Sequence, residues 1–251
     1  MNSNLKKVIV IPARYGSSRL PGKPLIEIKG KPLIQWVYEA AAKSELKDQI
    51  YIATDDNSIK DKATSFGAEV IMTDEGCSSG TERVYDAIKD IEADIIINVQ
   101  GDEPFIRYDM IDMLFSEMER YGDAMATLCT HITDEKEYKD PNTVKVVINR
   151  YGSAIYFSRS PIPYLRDNNL QAFKKGSEVK NFIYKHIGIY SYTKDFLERY
   201  INMPRGFLEK AESLEQLRVL ENGYKIKVLF TEYEGFGIDT EEDLKKANRL
   251  L

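Results

Sequence analysis

Short β-branched runs recur through the first half of this chain, separated by segments whose apolar residues fall at helical spacing, and that alternation limits its fold more than any other feature. Val8 to Pro12, Ile50 to Ala53, Glu69 to Met72 and Ile95 to Val99 read as buried strands. Leu33, Trp36, Val37, Ala40 and Ala41 follow Pro32, a plausible first helical residue, at i, i+3, i+4, i+7 and i+8. Val84, Ala87, Ile88 and Ile91 form a second apolar face, and Ile111, Leu114, Phe115 and Met118 a third. Strands alternating with amphipathic helices predict the α/β class, with βαβ units around a mostly parallel sheet and helices on both faces. At 251 residues and 43% hydrophobic content the chain can fill one sizeable core, so a single domain with a smaller lobe is expected.

The second half changes character. Val144 to Ile148 and Ala154 to Phe157 flank Asn149-Arg150-Tyr151-Gly152, a hairpin pattern that predicts a mixed sheet and a β-rich lobe from here on. Residues 165 to 181 are polar and aperiodic and read as a mobile surface loop that closes over a pocket. A strand from Phe182 to Tyr192, one helix from Leu208 to Leu220 ending near Gly223, a strand from Lys225 to Phe230 and a helix from Glu241 complete the chain. Two halves are therefore expected, at about 1–130 and about 131–225, with the last strand and helix returning to the main sheet.

Charge and cysteine content narrow the function. A net charge of −5 argues against a general nucleic-acid or anionic-membrane binder, so positive charge must be sought locally. Cys77 and Cys129 are the only cysteines and neither has a partner at metal-ligand spacing, which fits a reducing cytoplasm. The apolar run Val8 to Ile11 is too short for a secretory signal, and no stretch is long enough to span a bilayer.

Local positive charge appears after the first strand. Ala13-Arg14-Tyr15-Gly16-Ser17-Ser18-Arg19-Leu20-Pro21-Gly22-Lys23-Pro24 sets three cations, two serines and two glycines at a strand's carboxyl end. There, backbone N–H groups converge on phosphate oxygens while Arg14, Arg19 and Lys23 supply charge. The spacing is neither a Walker A loop nor a dinucleotide fingerprint. A solvated basic turn would have the same composition; the position as first loop of an α/β sheet favours polyphosphate.

This loop resembles that of the sugar-acid cytidylyltransferases, and Arg19-Leu20-Pro21-Gly22-Lys23-Pro24 is similar to the 3-deoxy-manno-octulosonate (KDO) cytidylyltransferase family. Similar stretches follow in order: Ser79-Gly80-Thr81-Glu82-Arg83, Asn98-Val99-Gln100-Gly101-Asp102-Glu103-Pro104, Tyr156-Phe157-Ser158-Arg159, His186-Ile187-Gly188-Ile189-Tyr190, Leu214-Glu215-Gln216-Leu217-Arg218 and Gly237-Ile238-Asp239-Thr240. The resemblance implies a Rossmann-like nucleotidyltransferase fold, CTP and an acidic sugar as substrates, Mg²⁺ as cofactor and a homodimer. It also implies a role in lipopolysaccharide or capsule precursor synthesis. Ala13, Arg14, Ser17, Ser18, Arg19, Lys23, Gly80, Thr81, Arg83, Gln100 and Asp102 are then expected at the nucleotide, and Gln100, Arg159, His186, Tyr190, Glu215 and Gln216 at the sugar. Cys77 and Ser78 stand where relatives often carry His and Gln.

The residues themselves carry part of this reading. Ser79 and Glu82 form a capping-box pattern that does not need Arg83, which makes Arg83 a candidate nucleotide contact. Asp102 follows a buried strand and a glycine; Asp239 stands before Thr240, whose Thr240-x-x-Asp243 pattern caps the last helix without it. Either aspartate alone would read as a turn or dipole residue, but as a pair they suit Mg²⁺. His186 and Tyr190 share one strand face, in a core or a pocket. Arg159 suits a sugar carboxylate, and Glu215 with Gln216, placed off the Leu208, Ala211, Leu214, Leu217 stripe, suit hydroxyls. The expected reaction is in-line attack of the sugar's anomeric hydroxyl on the α-phosphorus of CTP, with Asp102 and Asp239 on Mg²⁺ and Arg14, Arg19 and Lys23 on the departing pyrophosphate. Cytidylyltransferases for 8-amino-KDO or sialic-type acids, and a nucleotide-binding protein without turnover, are the alternatives.

Overall fold

Every side chain from Val8 to Pro12 is buried, which is why this run forms a central strand with a neighbour on each side. The computed structural model describes residues 5–16, 20–166, 173, 182–233 and 235–251. In chain order the elements are β1 (Lys7–Pro12), β2 (Glu27–Ile28), β3 (Lys31–Pro32), α1 (Leu33–Ala41), β4 (Gln49–Thr54), α2 (Asn57–Ser65), β5 (Glu69–Met72), α3 (Gly80–Ile88), β6 (Ile95–Asn98) and α4 (Tyr108–Tyr121). There follow β7 (Met125–His131), α5 (Glu135–Lys139), β8 (Lys145–Ile148), β9 (Ala154–Ser158), β10 (Tyr184–Thr193), α6 (Lys194–Asn202), α7 (Phe207–Glu212), α8 (Leu217–Glu221), β11 (Lys227–Phe230) and α9 (Glu241–Leu250). The class is the expected one, a mixed and mostly parallel sheet with helices.

The chain divides into two compact units: residues 1–122, 189–201 and 234–251 form the first, and 123–188 with 202–233 the second. In the first, β6, β1, β4 and β5 lie side by side and parallel, and the end of β10 adds to β6 antiparallel. The carboxyl ends of β1, β4 and β6 therefore open on one edge, the usual ligand edge of such sheets. Leu33, Ile34 and Val37 of α1 and Met110, Ile111, Leu114 and Phe115 of α4 are fully buried, each worth about 1.5–3 kcal/mol of transfer free energy. Pro32 closes β3 and caps α1 from outside, one position earlier than its expected place inside the helix. Trp36, expected on the core stripe, stays partly exposed and donates its indole N–H to the Ile28 carbonyl at 2.9 Å.

In the second unit β11 runs parallel to β7, and β8 pairs antiparallel with both β9 and the start of β10. The hairpin turns at Asn149 to Ser153, as the sequence predicts. The single helix expected from Leu208 to Leu220 is two short ones. Ser213, at φ 53°, is the left-handed cap of α7, and the Leu214 N–H returns to the Glu209 carbonyl. The break resets the helical phase, so Ala211 is exposed and Gln216 is 4% exposed, both against the expected stripe, while Leu214 and Leu217 are buried as expected. Of the segment read as a closing loop, 167–172 and 174–181 lie outside the described residues; Leu165 and Phe173 pack against Ile132, Tyr138 and Ile183. Among the described residues no helix is long and apolar enough to cross a membrane.

Candidate active site

Two aspartates 137 positions apart in sequence meet at one ammonium. Lys23 Nζ donates to Asp102 Oδ2 at 2.6 Å, to Asp239 Oδ1 at 2.9 Å and to the Ile238 carbonyl at 3.0 Å. Each partner has a local reason to be there. Asp102 follows β6 through Gly101, where any Cβ would come within 2.7 Å of the Pro12 carbonyl; only glycine lets the ends of β6 and β1 approach so closely. Asp239 is tied down next to its own backbone. The Ile238 N–H donates to the Asp102 carbonyl at 2.9 Å, and Asp243 accepts from the Asp239 and Thr240 N–H groups in a complete capping box. Lys23 begins a short 3-10 turn whose cap, Gly22, sits at φ 67°, a conformation open to glycine and strained for most side chains.

The electrostatics of this cluster favour charge separation at the sheet edge. Burial pulls the Lys23 pKa down, but Asp102 and then Asp239 outweigh it and hold the ammonium above its usual range. The side chain of Lys23 is 15% exposed, against 31% for Asp102 and 52% for Asp239. The carboxylates are thus reachable from solvent while the lysine stem is covered. Two carboxylate oxygens and a carbonyl, all within hydrogen-bond reach of one cation, are the hard donors that suit Mg²⁺. Among the described residues no three or more His, Cys, Asp or Glu side chains gather as a metal cage. An ion held by this pair would complete its shell with phosphate oxygens and water, as Mg²⁺ usually does.

The remaining nucleotide candidates surround the same edge. Ala13 is buried, with its N–H on the Ala53 carbonyl at 2.8 Å, and Arg14 is exposed beyond it. Ser17, Ser18 and Arg19 lie outside the described residues. Gly80 opens α3 so close to β1 and β6 that a Cβ there would lie 3.5 Å from Pro12 and 3.6 Å from Gln100 Oε1. Thr81 is 4% exposed, and Gln100 donates to Asn98 Oδ1 at 3.2 Å. Ser79 caps α3 by accepting from the Glu82 N–H, while Glu82 reaches back to the Ser78 N–H and hydroxyl, one residue short of the reciprocal box.

Arg83 is not spare in the fold, although the cap leaves it spare in the sequence. It is 3% exposed, donates to Asp55 Oδ2 at 2.6 Å and to the Thr73 hydroxyl, and so ties α3 to the ends of β4 and β5. Asp55 is legible by the logic applied to Asp239: Asp56 caps α2 through the Ile59 N–H and leaves its neighbour available.

The sugar candidates divide between the units. Tyr190 belongs to the first, in register with Asn98 of β6; Arg159, His186, Glu215 and Gln216 belong to the second. Arg159 Nε donates to the Glu212 carbonyl at 2.8 Å and its Nη1 to the Pro141 carbonyl at 3.1 Å, while its N–H meets Glu212 Oε2 at 2.9 Å. Lys145, which no sequence motif singles out, is fully buried and donates to the carbonyls of Asp140, Thr143 and Arg159 at 2.8, 2.5 and 2.6 Å. Burial lowers its pKa. His186 Nε2 lies 2.9 Å from the Thr127 hydroxyl, and burial pushes the imidazole down to about 3, which keeps it neutral. Glu215 is half-buried ahead of α8, and Gln216 is at the cap position of that helix. The buried pair of Glu209 and Arg218, bonded twice at 2.7 Å, gives no sequence signal either, because its i, i+9 spacing crosses the helix break.

Comparison with known proteins bears on the same architecture. The cytidylyltransferase family profile matches residues 8–226. A 3-deoxy-manno-octulosonate cytidylyltransferase from Thermodesulfovibrio yellowstonii is 48% identical over 97% of both chains. An 8-amino-3,8-dideoxy-manno-octulosonate cytidylyltransferase from Shewanella frigidimarina is 46% identical over 98% of this chain and 99% of its own. A solved structure of CMP:2-keto-3-deoxy-manno-octonic acid synthetase complexed with CTP superposes with a TM-score of 0.89 at 45% identity, covering 98% of each chain. With likeness of this extent running through both units, the chain belongs to the 3-deoxy-manno-octulosonate cytidylyltransferase family.

Proposed function

We propose that this enzyme transfers CMP from CTP to the anomeric hydroxyl of KDO, releasing pyrophosphate. The observation that carries the catalytic part is the convergence of Asp102 and Asp239 on one cation beside the basic first loop. In this reading the two aspartates hold Mg²⁺, which when bound supplies Lewis-acid charge at the α-phosphate. The chain's own residues do the rest. The turn at Gly80 and the loop from Ala13 position the nucleotide, Gln100 stands between nucleotide and sugar, and Arg14, Arg19 and Lys23 meet the charge that builds on the departing pyrophosphate. Arg159, held in place by carbonyls, offers its guanidinium to the sugar carboxylate, with His186, Tyr190, Glu215 and Gln216 at the hydroxyls. A neutral His186 suits hydroxyl recognition better than proton transfer at neutral pH.

A second reading has direct support: relatives 45–47% identical are named for the 8-amino sugar. Pyrophosphate release with CTP, UTP or ATP, with KDO or 8-amino-KDO, with and without Mg²⁺, separates the readings. Release with CTP, KDO and Mg²⁺ together is the expected result. Preference for the 8-amino sugar selects the second reading, and no release with any sugar acid overturns both. A homodimer belongs to the same reading and is supported by Tyr151 and Ile155, 78% and 57% exposed on the β8–β9 hairpin; sedimentation of the purified chain measures it.

A further inference from the structure

We propose that Lys23 competes with the divalent cation for Asp102 and Asp239, and that metal binding therefore expels its ammonium from the carboxylates toward the polyphosphate. This rests on the metal role assigned above to the two aspartates. An ammonium has three donors and no acceptor, and all three donors of Lys23 have partners, in Asp102 Oδ2, Asp239 Oδ1 and the Ile238 carbonyl. Those partners are also the donor set a hard divalent ion would take. Oxygens that now stand 2.6 to 3.0 Å from a nitrogen would have to close to about 2.1 Å around Mg²⁺. One point between the two carboxylates cannot hold both cations, and the doubly charged one gains more from two anionic oxygens.

The local geometry decides what moves. The backbone of Lys23 is fixed by its N–H on the Leu20 carbonyl at 3.0 Å, by the Gly22 N–H on the Tyr15 carbonyl at 3.0 Å and by the turn that follows. The lysine stem has four flexible bonds. Expulsion is then a side-chain swing from a fixed base on the same loop as Arg14. The exchange moves one positive charge from the aspartates to the place where triphosphate charge is to be met, so metal arrival and lysine availability become one event. Until then the ammonium holds together two carboxylates that would otherwise repel.

Binding of Mn²⁺ alone, followed by the loss of its free electron-paramagnetic signal, tests this on the full chain without nucleotide. Lys23→Met and Lys23→Gln should each bind Mn²⁺ about tenfold more tightly than the wild type, while Asp102→Asn loses the site. A purely structural lysine would give weaker or unchanged binding in both variants. Equal binding by the wild type and both Lys23 variants, with loss in Asp102→Asn, overturns the competition and leaves the metal role standing; equal binding by all four proteins overturns both. The wild type supplies an independent measurement should the variants not fold. In a Mn²⁺-soaked crystal, Lys23 Nζ should stand beyond hydrogen-bond distance of both carboxylates, and a nitrogen still bonded to both refutes the proposal.

Discussion

Lys23 in the first unit and Lys145 in the second each bring one ammonium to three oxygens, yet the two are opposites in kind. Lys23 is held by two carboxylates and one carbonyl, and its pKa is raised because the carboxylates outweigh the burial. Lys145 is held by three carbonyls, and its pKa is lowered because burial dominates. Anionic partners attract a divalent ion strongly enough for it to take the place of an ammonium, whereas three neutral carbonyls supply no negative charge to offset its dehydration. The first arrangement is a place for exchange and the second a tie that closes the backbone around Arg159. Acceptor count alone does not separate a site from a strut; the charge and exposure of the acceptors do.

The comparison can be broken by substitution. The largest effect is expected at the exchange site: Asp102→Asn should lower the rate of CMP transfer about a thousandfold with the melting transition nearly unmoved. Unchanged pyrophosphate release would remove Asp102 from the chemistry. Lys145→Met should cost about 3 kcal/mol in denaturant unfolding, because carbonyls in a covered turn lose a charged donor. A cost under about 1 kcal/mol would show those carbonyls turning to water instead.

Acid stability probes the same unit as Lys145. His186 has a folded pKa of about 3 against an ordinary 6.5, so the stability it contributes is complete above pH 6.5 and is lost as pH falls toward 3. Between pH 7 and 5 the wild type should lose roughly 2 kcal/mol that His186→Gln does not. Parallel pH profiles would mean that the imidazole protonates without leaving its place. In the first unit, Thr240→Ala removes one half of the capping box of α9 and should cost about 1 kcal/mol. The smallest effect on stability belongs to Lys23→Met, under about 1 kcal/mol, since one of its two carboxylate partners is half exposed and the other about a third. A cost equal to that of Lys145→Met would erase the distinction between the two lysines.

The same division governs how much can be read from the chain alone. β1, β4, β5 and β6 lie within a residue of their expected bounds. β1 and β6 are short apolar runs buried on both faces, and such runs fix their own identity, while β5, less covered at the sheet edge, is set by its β-branched pair Val70 and Ile71. α3, α4 and the α9 cap are legible for a similar reason, since caps and apolar stripes are encoded within one or two turns. The helix expected over 208–220 fails at Ser213, a residue with no special claim to a left-handed conformation, where tertiary packing overrides local spacing. The tie from Arg83 to Asp55 is invisible from the α3 cap for a related reason: the two residues stand 28 positions apart, and the cap at Ser79 does not point to the partner.

By itself the sequence determined the α/β class, the parallel core of the first unit, the basic loop after β1 and, through its collinear motifs, the family. Only the tertiary structure decided that Asp102 and Asp239 share an ammonium, that the ammonium is that of Lys23, and that Arg83, Lys145 and Gln216 are buried. Periodicity and capping act over a few residues and leave a local trace, whereas an ion pair between distant segments depends on where strand ends are brought together. In this chain that approach turns on the contact of Gly101 with the Pro12 carbonyl, which no pattern in either segment records.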